Sequence, residues 1–264
     1  MGRIGERFAE LRGRGERALA PFLTAGDPDL AVSEALVLAM AESGADLIEI
    51  GVPFSDPIAD GPTIQRSSAR ALEGGASLRR ILELVKRLRG QTAAPLLLMG
   101  YANPFYAMGT DGFLDTAGEV GVDGIIVPDL PPEEGETLYA AAEERGIDAV
   151  LLAAPTTAPR RLALLGERSR GFLYYVSLTG VTSARARLAP ELEKGVRAAR
   201  AASRVPVCVG FGVSEPSHSE TIGRFADGVV VGSAIVDRIE RAASPDAAVE
   251  SVARFVGELK APLR

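Results

Sequence analysis

Four carboxylates crowd one short stretch of this chain. Residues 46–60 read DLIEIGVPFSDPIAD and contain Asp46, Glu49, Asp56 and Asp60. Glu49 stands in the middle of an apolar run with the pattern of a β-strand. Alternation puts Leu47, Glu49 and Gly51 on one face and Ile48 and Ile50 on the other. A buried carboxylate is costly unless it is paired or used. Glu49 is therefore either an acid aimed at a ligand or the partner of an arginine from a neighbouring strand. Asp60 precedes Gly61-Pro62, an ordinary way to begin a helix, so a capping role stands beside a chemical one.

The scarce residues narrow the chemistry. The chain has one cysteine, Cys208, and one histidine, His218. No disulfide forms within it, and a zinc site of His and Cys ligands cannot be assembled. A Ser-His-Asp or Cys-His machine would have to use His218, which lies in the polar stretch SEPSHSE. Both scarce residues read as structural. The lysines are Lys86, Lys194 and Lys260, each in an amphipathic helical pattern. A Schiff-base lysine has to be desolvated, and none of the three is expected to be. Carboxylates and tyrosines remain for proton transfer.

The elements that must hold these groups alternate along the chain. Strand candidates are 18–26, 46–52, 95–103, 121–129, 147–155, 171–180, 205–213 and 226–235. Helical patterns fill the gaps, including 30–44 after a capping Asp29, 77–90 opening on Ser77, 132–146, 189–203 and 245–260. Eight strands each followed by helical sequence suit an α/β protein of the (β/α)₈ TIM-barrel type, with an additional N-terminal helix at 5–15 across its bottom. Residues 1–264 then form one domain. An open doubly wound sheet is the competitor, but the first strand lacks the glycine-rich GxGxxG turn. No repeat of 20–50 residues is visible.

A barrel carries its site at the C-terminal ends of its strands. Phe22, Thr24 and Asp27 fall there after the first strand, Tyr101 and Asn103 after the third, Asp129 after the fourth, and Tyr174 on the sixth. Gly210-Phe211-Gly212 and Gly232-Ser233 end the seventh and eighth. Glycines there let backbone N–H groups approach a phosphate. They also serve as plain turns, and Phe22, Tyr174 and Phe211 also serve as core.

Composition adds limits. The net charge is −6 with scattered basic residues, which argues against nucleic acid as the main partner. No apolar run approaches the roughly 20 residues that span a bilayer. The charged N-terminus has no signal-peptide core, so a cytoplasmic address is expected.

PFLTAGDPD, IEIGVPFSDPIADGPTIQ, GVDGIIVPDLPPEE, GVTSAR and GFGVSEP together resemble the alpha-subunit family of tryptophan synthase, over nearly the whole chain. The resemblance implies retro-aldol cleavage of indole-3-glycerol phosphate to indole and glyceraldehyde 3-phosphate, with no cofactor in this chain. It implies that Glu49 is the catalytic acid–base and that Asp60 stabilises the protonated indole. Phosphate contacts fall on Ser183, Gly212, Gly232 and Ser233, and the indole pocket on Phe22, Ile64, Tyr174 and Phe211. Thr182 is the loop threonine that closes over the aspartate. Many members have glycine where this chain has Ser183, and φ > 0 would be strained for serine. The resemblance also implies a beta-subunit partner carrying pyridoxal phosphate, an alpha2beta2 assembly, and contacts from 53–60 and near Asn103 and Pro131. Alternatives are a standalone indole-3-glycerol-phosphate lyase, another phosphate-binding barrel enzyme such as thiamine-phosphate synthase or a barrel isomerase, and a non-catalytic phosphate binder. A binder needs neither Glu49 nor Asp60.

Overall fold

The computed structural model describes residues 2–177, 185–210 and 212–264, with 185–189 as backbone. Eight parallel strands close into a barrel in sequence order. They are β1 (Ala18–Thr24), β2 (Ile48–Gly51), β3 (Leu96–Met99), β4 (Gly124–Ile126), β5 (Asp148–Ala153), β6 (Leu173–Val176), β7 (Val207–Gly210) and β8 (Gly228–Val231). The last pairs with the first, Ala18 opposite Gly228. The helices are α1 (Arg3–Arg14), α2 (Leu30–Glu42), α3 (Pro62–Glu73), α4 (Leu78–Arg89), α5 (Ala102–Met108), α6 (Thr110–Val120), α7 (Glu136–Glu144), α8 (Pro159–Arg168), α9 (Arg185–Ala202), α10 (Pro216–Gly223), α11 (Ser233–Arg241) and α12 (Pro245–Lys260). The expected TIM barrel is therefore the fold.

Period-2 alternation splits each strand between two cores. Outward residues such as Ile48, Ile50, Leu98 and Val229 pack with the helices. Inward residues such as Leu47, Leu97, Ile126, Val150, Tyr174, Cys208 and Val230 fill the barrel. That inner core continues downward into Ile4, Phe8 and Leu11 of α1, so the N-terminal helix plugs the bottom. Ion pairs fix the plug. Arg7 reaches Asp46 at 2.8 Å and Arg3 reaches Asp123 at 2.7 Å. The expected caps hold as well: Asp29 accepts from the Val32 N–H and Ser77 from the Arg80 N–H.

Two expectations need correction, the reach of the third strand and the exposure of Lys260. The third strand stops at Met99; Tyr101 caps α5, and Asn103 lies inside that helix. Pro104 favours the helix, because proline needs no N–H in a first turn. The Asp129 carboxylate completes the start by accepting the Ala102 N–H at 3.0 Å. Asp46, near Glu49 in sequence, lies at the opposite end of the barrel, where it accepts the Leu19 N–H. Lys260 is buried after all, at 3% exposure. Its ammonium pairs with Asp46 at 2.9 Å and donates to the Arg17 carbonyl, at the end of the barrel away from the site.

Candidate active site

Glu49 sits mid-strand on β2, with Phe22 of β1 and Leu97 of β3 beside it in register. It is fully buried. Neither carboxyl oxygen has a hydrogen-bond partner among the described residues, so the pairing with a neighbouring arginine is not what the strand provides. Burial with nothing to compensate the charge pushes its pKa from 4.5 up to about 8. Glu49 is thus a neutral acid at pH 7, and a neutral carboxyl tolerates this position where a carboxylate would not.

Asp60 ends the loop between β2 and α3. The helix cap is Gly61, with no side-chain hydrogen bond, so Asp60 does not cap α3. Its Oδ2 accepts the Tyr101 hydroxyl at 3.1 Å, and that hydroxyl oxygen accepts the Ala59 N–H at 2.9 Å. Partial burial raises the Asp60 pKa, and the Tyr101 hydrogen bond opposes the rise. The Phe54 ring packs on Tyr101 with centroids 5.2 Å apart. Asp56 is exposed and accepts from Ser55 Oγ, away from this arrangement.

A small cavity beside Asp60 is lined by Phe22, Thr24, Asp60, Ile64, Ser68, Met99 and Tyr101 among others, and neither Glu49 nor Tyr174 is in its wall. Gly51 is required there, since a Cβ would lie 2.5 Å from the Phe22 ring. Tyr174 is buried on β6. Burial raises its hydroxyl pKa far above 10, and the charges of Glu49, Cys208 and Asp60 add to that rise. Glu49, Asp60 and Tyr174 therefore share one electrostatic neighbourhood although they come from separate parts of the chain.

Beyond β1 from Glu49, at the end of β8, Gly232 caps α11 and Ser233 is that helix's first residue. Gly232 lies against Phe22, with 3.6 Å between its Cβ position and the ring. Gly212 has φ 87°, a conformation that suits glycine. First-turn N–H groups lack intrahelical acceptors and carry the positive end of the helix dipole, so this rim suits an anion. Thr182, Ser183 and Phe211 lie outside the described residues.

Met99 and Ser68 line the cavity without having been singled out in the sequence. The signal for Ser68 is its position one turn beyond Ile64 on α3. Tyr101 was placed on the rim, but its bond to Asp60 spans 41 residues and is a tertiary fact. His218 accepts the Ser214 N–H at the start of α10, and Cys208 is inner core, so both are structural as expected. Among the described residues no group of three or more His, Cys, Asp or Glu side chains could hold a metal ion. No helix there is long and apolar enough to cross a membrane.

Comparison with known proteins agrees with this geometry. A family profile described as tryptophan synthase alpha chain matches residues 8–264. The tryptophan synthase alpha chain of Citrifermentans bemidjiense is 50% identical over 260 residues, covering 98% of this chain and 97% of that protein. That of Geobacter sulfurreducens is 49% identical, covering 98% of each. Among solved structures, the tryptophan synthase subunit alpha of Legionella pneumophila str. Paris superposes with a TM-score of 0.92 at 34% identity, covering 100% of this chain and 98% of that one. A chain of Mycobacterium tuberculosis tryptophan synthase gives 0.90 at 40% identity, again covering 100% and 98%. This chain belongs to the tryptophan synthase alpha chain family.

Proposed function

We propose that Glu49 and Asp60 carry out the reaction of this lyase, the cleavage of indole-3-glycerol phosphate into indole and glyceraldehyde 3-phosphate. The observation that carries the assignment is the Glu49 carboxyl: buried, without a partner among the described residues, and protonated up to about pH 8. Such a group can give a proton to a carbon that a solvated carboxyl could not protonate at neutral pH.

In this reading Glu49 donates its proton to indole C3, making that carbon tetrahedral and placing positive charge on the ring nitrogen. Asp60, held by Tyr101, accepts a hydrogen bond from the ring N–H and stabilises that charge. The Glu49 carboxylate then removes the proton of the glycerol hydroxyl next to the bond. The C–C bond breaks, its electrons return to the ring, and the hydroxyl carbon becomes the aldehyde. Glu49 ends protonated, so one proton has moved from oxygen to carbon and the acid is ready again. Phe22, Ile64 and Tyr174 wall the ring, with Phe211 the fourth wall of this reading. Gly212, Gly232 and Ser233 seat the phosphate, joined by Ser183, and Thr182 closes over Asp60.

The same reading gives the chain a beta subunit as partner, in an alpha2beta2 assembly that receives the indole. It needs no cofactor here, pyridoxal phosphate belonging to the partner. Residues 1–264 act as one domain, in the cytoplasm. The exposure of Ile58, at 86%, and of Tyr106, at 45%, supports a docking role for the loop before Asp60 and for α5.

Indole release from indole-3-glycerol phosphate tests the assignment. Glu49→Gln and Asp60→Asn should each lower kcat by about 10²–10⁴-fold, the usual worth of such groups, while still binding glycerol 3-phosphate. Turnover within a few-fold of wild type in either variant would end that residue's role.

A further inference from the structure

The outer rim of the barrel mouth carries a chain of ion pairs that the chemistry above does not use. Arg66 and Arg70 stand one turn apart on α3. Arg66 forks onto Glu240 of α11 through Nε and Nη2, at 2.9 and 2.7 Å. Arg70 reaches the same carboxylate through Nη1 at 2.8 Å. It also forks onto Asp27 through Nε and Nη2, at 2.8 and 2.7 Å. Asp27 is 2% exposed and follows β1 directly. Three elements of the mouth are thereby joined: the segment after β1, α3 and α11.

These elements touch different ends of the site. Helix α3 begins two residues after Asp60 and turns Ile64 and Ser68 into the ring cavity. Helix α11 begins at the seat assigned to the phosphate. Its buried residues Ile235, Val236 and Ile239 hold it on the barrel. Apolar burial is not directional, so it leaves sideways placement of the helix soft. Forked arginine–carboxylate pairs are directional. Helix α11 has nine residues, so a shift at Glu240 is carried to its first turn. The Arg66 hydrogen bond holds the Glu240 pKa down at about 2, so Glu240 keeps its charge for both arginines. The two pairs on Glu240 are partly exposed and add little to stability one by one, so stability alone is a poor account of that geometry.

We propose that Arg66, Arg70 and Glu240 are positioning residues that set the span between the ring cavity on α3 and the phosphate seat at the head of α11. The substrate has to bridge that span with its ring against Asp60 and its phosphate at the first turn of α11. The proposal rests on the phosphate assignment made above.

The test is titration of the full-length chain with two half-ligands, glycerol 3-phosphate and indole. Glu240→Gln removes the ion pairs between α11 and α3 and leaves the Arg70–Asp27 fork intact, so no buried carboxylate is abandoned. Arg66→Met removes the Arg66 fork and leaves Glu240 with Arg70 alone. In both variants the Kd for glycerol 3-phosphate should rise about three- to tenfold, with the Kd for indole within about twofold. The KM for indole-3-glycerol phosphate should rise with the former, and kcat should change less. Equal weakening of both half-ligands, or no weakening of glycerol 3-phosphate, overturns the proposal. Ser233→Asp separates the two readings by placing a negative charge on the seat itself. If it leaves glycerol 3-phosphate binding intact, the seat is wrong and the proposal falls with it. If it abolishes binding while Glu240→Gln does nothing, the positioning role alone fails.

Discussion

Glu49 links activity to stability through one proton. Its pKa in the folded chain is about 8, against 4.5 for the free group. Between those two values the folded chain keeps a proton that the unfolded chain has released. Unfolding then releases a proton, so raising the pH favours unfolding. Stability is intact below the unfolded pKa and is lost as the pH climbs toward 8, by up to about 1.4 kcal/mol per unit. Urea denaturation of Glu49→Gln should show a midpoint above wild type at pH 8 and close to it at pH 5. Parallel wild-type and variant curves would mean that Glu49 ionises freely. The same proton sets activity: kcat/KM should fall as the pH passes about 8. Tyr101 governs the other acid. Its hydrogen bond favours the ionised form of Asp60, so Tyr101→Phe raises the Asp60 pKa. The acid limb of kcat should move to higher pH in that variant, and an unmoved limb would remove Tyr101 from the site's electrostatics.

At the scale of elements, the bottom of the barrel reuses one device. The segments GADLIEI, GVDGIIV and FADGVVV each place an aspartate just before a strand. Asp46 accepts the Leu19 N–H, Asp123 the Leu96 N–H and Asp227 the Val207 N–H, each the N–H of a residue in the strand before. Arginines or lysine then close each carboxylate: Arg7 and Lys260 on Asp46, Arg3 and Arg89 on Asp123, Arg200 on Asp227. Asp46→Ala removes the nearer counter-charge of the buried Lys260, leaving it Glu16 at 3.4 Å and the Arg17 carbonyl, orphans the Leu19 N–H, and should cost about 3–5 kcal/mol in urea denaturation. Arg3→Ala removes a half-exposed partner and should cost under about 1 kcal/mol. This device was hidden in the sequence because its copies are unevenly spaced and its bonds join neighbouring strands. The strands themselves were legible, each a short apolar run between helical patterns. Helices α5, α6, α8, α10 and α11 were not singled out. They are short, and α6 carries two internal glycines, Gly112 and Gly118, and a weakly amphipathic face. Of the site, Glu49 was legible because an acid alone in an apolar strand demands a reason. Its lack of a partner and the Tyr101 bond to Asp60 depend on distant strands coming together, which no local pattern encodes.

The whole molecule divides its charges by face. Ion pairs on Asp46 and Asp123 hold α1 and α12 to the bottom of the barrel, whereas at the mouth Glu49 and Asp60 have no ion pair and Arg66 and Arg70 lie on the outer rim. The mouth also carries Ile58, the most exposed large apolar side chain among the described residues, two residues before Asp60. The loop that bears it is stitched to Tyr101 through the Ala59 N–H, and Tyr101 caps α5, which displays Tyr106. A partner that covers Ile58 and α5 therefore presses on both sides of the hydroxyl that holds Asp60. Burying an isoleucine is worth about 1.5–3 kcal/mol, or roughly ten- to a hundredfold in Kd. Ile58→Asp should weaken binding of the beta subunit by at least that factor, measured by titration, with cleavage by the isolated chain near wild type. Saturating partner should speed cleavage by the wild-type chain, and Ile58→Asp should reach the same plateau only at higher partner concentration. Tyr101→Phe should bind the partner normally yet gain less from it, because the covered loop then has no hydroxyl through which to hold the carboxylate. Cleavage rates indifferent to the partner in the wild type would separate docking from catalysis and leave Ile58 as adhesion alone.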